Sequence, residues 1–279
     1  MISHLNLEIP GAEGRIIAAD LYLPSDKGTF PLLIFCHGFK GFKSWGFYEN
    51  MPEAFCNEGL AFLRFNFSHN GCSTQIPDAF VEPEAFGRNT IGKELQDVQL
   101  LLDALSKLPG AAHIDMDALY LAGHSRGGGI ALLSAARNQR IKKLALWNSV
   151  SDWNIFMSQF DQARWKEDGV AYIRNSRTGE ELPVGYELFT DFDAHREEYN
   201  LGAAAESLEI PLLLVHGTDD VNVRISASEF FYEKVLHAIF IRVEGGNHTF
   251  GIRHPWSAEQ EAVPAFDEAL CNTIDFFLD

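Results

Sequence analysis

One stretch constrains this chain more than any other: Leu119-Tyr120-Leu121-Ala122-Gly123-His124-Ser125-Arg126-Gly127-Gly128-Gly129. It sets a serine between two glycines, G-x-S-x-G, where a short apolar run hands over to a helical pattern. Leu119 to Ala122 read as a buried strand, and Ile130 to Ala136 continue as helix. A serine on so sharp a turn sits in strained backbone, and a Cβ at Gly123 or Gly127 would collide with the neighbouring strand or helix. The turn presents the serine oxygen at a helix N-terminus, with the N–H of Arg126 aimed at whatever that oxygen attacks. The letters alone are a weak signal, since a serine N-cap on a glycine-rich turn reads the same way. The strand, turn and helix around them make Ser125 a candidate nucleophile on a nucleophile elbow.

Serine at its ordinary pKa is a poor nucleophile, so the elbow requires a base and a group that orients the base. Of ten histidines, His248 is best placed. It lies in the loop Glu244-Gly245-Gly246-Asn247-His248-Thr249-Phe250, directly after a strand read over Ala238 to Val243, at the carboxyl end where a parallel sheet gathers its site. His254, followed by Pro255 and further from the strand, is the fallback. The acid should also follow a strand end, and His216-Gly217-Thr218-Asp219-Asp220 does so after Pro211 to Val215. Either carboxylate reaches; Asp220 is the choice, with Asp219 read as a turn or helix-capping residue. An oxyanion would need two donors: the N–H of Arg126, and that of Phe39 in the His37-Gly38-Phe39-Lys40-Gly41 loop after the strand ending at Cys36. The plain alternative, a strand-to-helix turn, leaves Gly38 and Gly41 without a reason.

Strands and helices alternate along most of the chain. Leu5 to Ile9 and Ile16 to Leu23 read as an antiparallel hairpin around Pro10-Gly11-Ala12-Glu13-Gly14. Leu32 to Cys36, Ala61 to Phe67, Leu119 to Ala122 and Lys142 to Trp147 follow as strands, with helical spacing over Trp45 to Glu58 and Ile91 to Leu108. This order predicts an α/β fold with a mostly parallel twisted sheet of about eight strands and helices on both faces. Residues 151–209 break the rhythm and hold nine aromatic residues. They are read as a mainly helical inserted cap, with Asn175 to Pro183 as an exposed turn or small hairpin; residues 1–150 and 210–279 then form the core domain. The rhythm resumes with a helix over Ser228 to Leu236 and a closing helix over Glu259 to Leu278. Trp147, Trp153, Phe156 and Phe160 are candidates for a substrate pocket, a role that weighs evenly against packing for any one ring.

Composition narrows the partners. The net charge of −17 at pI near 4.9 would repel a phosphate backbone or an anionic membrane, so neither nucleic acid nor membrane is expected. The four cysteines, Cys36, Cys56, Cys72 and Cys271, show no metal-ligand spacing, and Cys36 and Cys271 are expected to be buried thiols. No targeting segment and no apolar run long enough to span a bilayer is visible, so the expected setting is cytoplasmic, with no metal or organic cofactor.

Taken together, the residues resemble the α/β-hydrolase superfamily over nearly the whole chain. His37-Gly38, Gly123-His124-Ser125-Arg126-Gly127-Gly128, His216-Gly217-Thr218-Asp219-Asp220 and Gly246-Asn247-His248 each fall after the strand where that family carries its motifs. His216 to Asp220 matches the family's H-G-x-x-D pattern, and the chain order serine, aspartate, histidine is the family's. The segment His37 to Lys43 and the aromatic cap look like the branch of dienelactone hydrolases and cinnamoyl or feruloyl esterases. The resemblance implies a serine esterase working on small or aromatic acyl esters through an acyl-enzyme, with Ser125, Asp220 and His248 as triad. One departure is plain: dienelactone hydrolases use cysteine where this chain has Ser125. The same triad would also serve an aminopeptidase, a thioesterase or a carbon–carbon bond hydrolase, and a non-catalytic ligand-binding relative is the alternative from another class. The oligomeric state is left open.

Overall fold

The computed structural model describes residues 1–175, 179–256 and 263–279. Its elements, in chain order, begin with β1 (Ser3–Pro10), β2 (Ile16–Leu23), β3 (Phe30–Cys36), α1 (Met51–Asn57), β4 (Ala61–Phe65), α2 (Pro83–Gly87) and α3 (Ile91–Ala104). The central part is β5 (Ile114–His124), α4 (Arg126–Arg137), β6 (Ile141–Trp147), α5 (Asn154–Met157), α6 (Gln162–Asp168), β7 (Val170–Arg174) and β8 (Glu181–Gly185). The chain closes with α7 (Glu187–Ala194), α8 (Leu201–Glu206), β9 (Leu212–Gly217), α9 (Ser226–Lys234), β10 (Ile239–Val243) and α10 (Pro264–Leu278).

Eight strands form one sheet in the order β1-β2-β4-β3-β5-β6-β9-β10. The β1–β2 and β2–β4 pairs are antiparallel, and every other pair is parallel. Parallel strands need both faces covered, and the side-chain alternation shows how. Leu32, Ile34, Leu119 and Leu121 point into an apolar cluster with α3, α4 and Phe231 of α9, while Leu33, Phe35, Tyr120 and Ala122 point into a second with α1 and α10. Each such side chain is worth roughly 1.5–3 kcal/mol when removed from water, so a slip by one residue would move an entire set to the wrong layer.

Register is what matters for function. Cys36 pairs with Gly123, His124 with Trp147, Trp147 with Val215, and Gly217 with Val243. The carboxyl ends of β3, β5, β6, β9 and β10 therefore finish level with one another, and the loops that follow them share one rim.

Several elements differ from the sequence reading. The helix expected over Trp45 to Glu58 is an α-helix only from Met51 to Asn57, because Gly46 takes φ 51° upstream and Pro52 suits only a first helical turn. Cys271 is exposed rather than buried, since α10 turns Phe266, Ala269, Thr273, Phe276 and Phe277 toward the sheet and Cys271 away from it. Residues 151–209, inserted between β6 and β9, contain, among the described residues, four short helices together with a two-stranded antiparallel sheet, β7 with β8. Its strand β7, Val170-Ala171-Tyr172-Ile173-Arg174, is only half-buried, and so short an apolar run does not by itself separate a strand from a helical segment. The turn expected within Asn175 to Pro183 is flanked by these strands, and its residues 176–178 lie outside the described residues, as do 259–262 at the expected start of the closing helix. Among the described residues no helix is long and apolar enough to cross a membrane, and no group of three or more His, Cys, Asp or Glu is placed to share a metal ion.

Candidate active site

Ser125 stands between the last residue of β5 and the first of α4, at φ 56° and ψ −121°. Such a backbone is strained for a residue with a side chain, at a cost of order 1–3 kcal/mol, and it persists only where the surroundings leave no alternative. Here they leave none. A Cβ on Gly123 would lie 2.3 Å from the carbonyl oxygen of Gly127, and one on Gly127 would lie 2.3 Å from that of Cys36. The Ser125 N–H is held by Trp147 O at 2.9 Å, and its carbonyl accepts from Gly128 and Val150.

Two of the sequence-selected partners meet directly. His248 Nδ1 lies 2.7 Å from Asp220 Oδ2, and Oδ1 of the same carboxylate accepts the N–H groups of Asn222 and Val223 at 2.8 and 3.0 Å. Burial works to raise the Asp220 pKa, but the hydrogen bond and charge of His248, with those two N–H groups, outweigh it. The carboxyl is therefore held below its usual range. A carboxylate only accepts, so Nδ1 of His248 carries its proton toward Asp220 and Nε2 is left as the basic nitrogen. Asp219, the alternative acid, is exposed, and its main-chain N–H donates to Gly246 O at 2.9 Å. His254, the alternative base, faces another way: its Nδ1 takes the Gly46 N–H at 3.1 Å, and its ring packs on Phe42 and Trp45.

Ser125 and His248 line the same cavity of about 520 Å³, with Phe39, Val150, Ile155, Phe156, Gln159, Ile173, Asn175, Asn222, Val223 and Thr249 among its walls. Among the described residues no group takes up the N–H of Phe39 or of Arg126, the two donors expected for an oxyanion. The Arg126 side chain is buried and pairs through Nε with Glu94 Oε2 at 2.7 Å, while Asn89 Nδ2 donates to Glu94 Oε1 at 2.7 Å. Its guanidinium lies 5.5 Å from the Phe39 ring and 5.4 Å from that of Phe156, so one buried cation backs both rings of the cavity floor.

Only one of the four pocket candidates lies on this cavity. Phe156 lines it, whereas Trp147 is in the core, with Nε1–H on Thr273 Oγ1 at 2.9 Å and its ring edge-on to Phe35 and Phe250. Trp153 donates to Tyr199 O at 2.8 Å and fills the space above Gly129. Phe160 packs on Trp165, with ring centroids 4.6 Å apart. Pocket and packing weighed evenly for each ring in the sequence; of these three, Trp153 and Phe160 border separate cavities of about 420 and 490 Å³, away from Ser125 and His248. Sequence reasoning missed the other walls. Ile173 lies on a strand it did not expect, and Gln159, Asn175 and Asn222 have no pattern that separates a cavity wall from a surface polar residue.

The family model for the alpha/beta hydrolase fold matches residues 31–168. No curated protein sequence matches. Among solved structures, Est1E from Butyrivibrio proteoclasticus with ferulic acid bound is 22% identical at a TM-score of 0.72, covering 98% of both chains. The complex of DcsB with its substrate analogue is 15% identical at a TM-score of 0.73, covering 99% of each chain. Dienelactone hydrolase from Anabaena variabilis is 15% identical at a TM-score of 0.65, over 99% of this chain and 97% of that one.

Proposed function

We propose that this chain, which has the α/β-hydrolase fold, is a serine esterase that cleaves small or aromatic carboxylic esters through an acyl-enzyme on Ser125. The observation that carries the reading is the 2.7 Å contact of His248 Nδ1 with the buried Asp220 carboxylate, beside a cavity that Ser125 and His248 both line.

In this reading His248 Nε2 takes the proton of Ser125 Oγ as that oxygen attacks the ester carbonyl. Asp220 fixes the imidazole tautomer and stabilises the imidazolium. Negative charge gathers on the carbonyl oxygen, where the N–H groups of Phe39 and Arg126 receive it; each such donor is worth about 3 kcal/mol of barrier. Collapse of the tetrahedral intermediate breaks the carbon–oxygen bond, and the imidazolium returns its proton to the departing alkoxide. Water then attacks the acyl-Ser125 with His248 again as base, which releases the acid and restores the hydroxyl. The cavity has the size of a small-molecule site, and its apolar walls Val150, Ile155, Phe156 and Val223 with a few amides suit a compact acyl group bearing some polar substituents. The ferulic acid held by Est1E, a protein of like fold, supports an aromatic acid as the product.

A panel of p-nitrophenyl esters, methyl ferulate and aminoacyl amides tests this. Ester turnover should exceed amide turnover, and Ser125→Ala should lower it about 10⁴-fold or more with the fold intact. Full ester activity in that variant, or a preference for amides, would overturn the reading.

A further inference from the structure

The carbonyl oxygen of His248 accepts from two side chains that the mechanism above leaves unused. Asn148 Nδ2 donates to it at 3.0 Å and to Asn247 O at 3.3 Å, and His124 Nε2 lies 2.7 Å from it. A carbonyl only accepts, so His124 carries its proton on Nε2, and the Asn148 amide turns its NH₂ toward the His248 loop. The other end of the same amide confirms that orientation: Asn148 Oδ1 takes the N–H of Gly217 at 2.9 Å.

The placement of Asn148 explains its reach. It directly follows β6, with φ 44°, a backbone region that asparagine enters more readily than most residues, and it is fully buried. Its own N–H donates to Val215 O at 2.9 Å, which seats it against the end of β9. Gly217 lies in the stretch leading to Asp220, and His248 follows β10. One amide therefore grips the main chain of the acid's loop and of the base's loop together, and His124, next to Ser125, grips the base's loop from the nucleophile's strand. His124 remains a neutral donor across the working range, because burial and the neighbouring His248 hold its pKa down to about 3.

We infer that Asn148, with His124, is a positioning residue: a clamp on the His248 carbonyl and the Gly217 N–H that sets the imidazole against both Asp220 and Ser125. The inference rests on the esterase reading above. The imidazole is fixed at its ring by Asp220 and at its main chain by this clamp, and a displacement near 1 Å at such a point can cost about 100-fold in rate.

Two variant pairs test the clamp. Asn148→Asp is nearly isosteric and keeps an acceptor for Gly217, but sets an oxygen against two carbonyl oxygens; Asn148→Gly suits the backbone and removes both grips. Each should lower kcat about 10- to 100-fold with KM within about threefold, and should slow fluorophosphonate labelling of Ser125 by a similar factor. His124→Gln, which retains an N–H donor, should recover at least about tenfold in kcat over His124→Met, a rescue that a space-filling role would not give. Folded Asn148→Gly with wild-type kcat, or His124→Gln no better than His124→Met, would overturn the clamp. If the Asn148 variants do not fold, the His124 pair decides. Wild-type protein that neither turns over an ester nor reacts with the probe would instead overturn the esterase reading.

Discussion

The serine turn and the 151–209 insertion sit on either side of one cavity and are built on opposite principles. At the turn, main-chain atoms determine each residue: the carbonyls of Gly127 and Cys36 leave no space for a Cβ at Gly123 or Gly127, and Ser125 is forced to φ 56°. In the insertion, side chains determine one another. Phe160 packs on Trp165, Tyr186 stands edge-on to Trp165, and Tyr186 stacks on Phe189, so rings fill space where a different set of rings would serve as well. The first kind of region tolerates almost no substitution and, in the function proposed above, carries the chemistry. The second tolerates exchange and shapes what reaches the chemistry.

Four changes sharpen or break that contrast. The largest effect should come from Asp220→Asn, which keeps the shape but removes the charge that selects the His248 tautomer. It should lower kcat about 10³- to 10⁴-fold, while the exposed neighbour change Asp219→Asn stays within about threefold; comparable losses from both would refute the assignment of the acid. Gly127→Ala should cost about 3 kcal/mol or more in denaturant unfolding, because the backbone carbonyls it meets belong to a different strand end and cannot step aside. Phe156→Ala should lower kcat/KM for aromatic esters by about tenfold, since its ring lines the cavity and packs on Phe39 at 5.6 Å. Phe160→Ala should leave kcat/KM within about twofold and cost instead about 1–3 kcal/mol of stability. Equal kinetic effects from the two phenylalanines would remove the distinction between wall and packing.

The same contrast explains what was legible in the sequence. Strand ends carry glycines and polar residues for reasons of backbone geometry, so Ser125, Asp220, His248, Phe39 and Arg126 could be named as candidates, and the alternation of apolar runs disclosed a mostly parallel sheet of about eight strands. The cavity walls could not be read that way. A tryptophan looks alike whether it closes a pocket or donates into a core, so the sequence left the two roles evenly weighed for Trp147 and Trp153, and Ile173 was hidden on a half-buried strand. Glu94 and Asn148 went unnoticed for another reason. Each matters through a partner far away in the chain, Arg126 in one case and His248 in the other, and no local period records such a pairing.

The most direct test of the central claim is to locate the covalent adduct. After reaction with a fluorophosphonate, mass spectrometry of the digested protein should find the label on Ser125, formed rapidly in the wild type, slowly in Asp220→Asn and not at all in Ser125→Ala. A label on a different residue, or ester turnover that continues after Ser125 has been fully modified, would contradict the account.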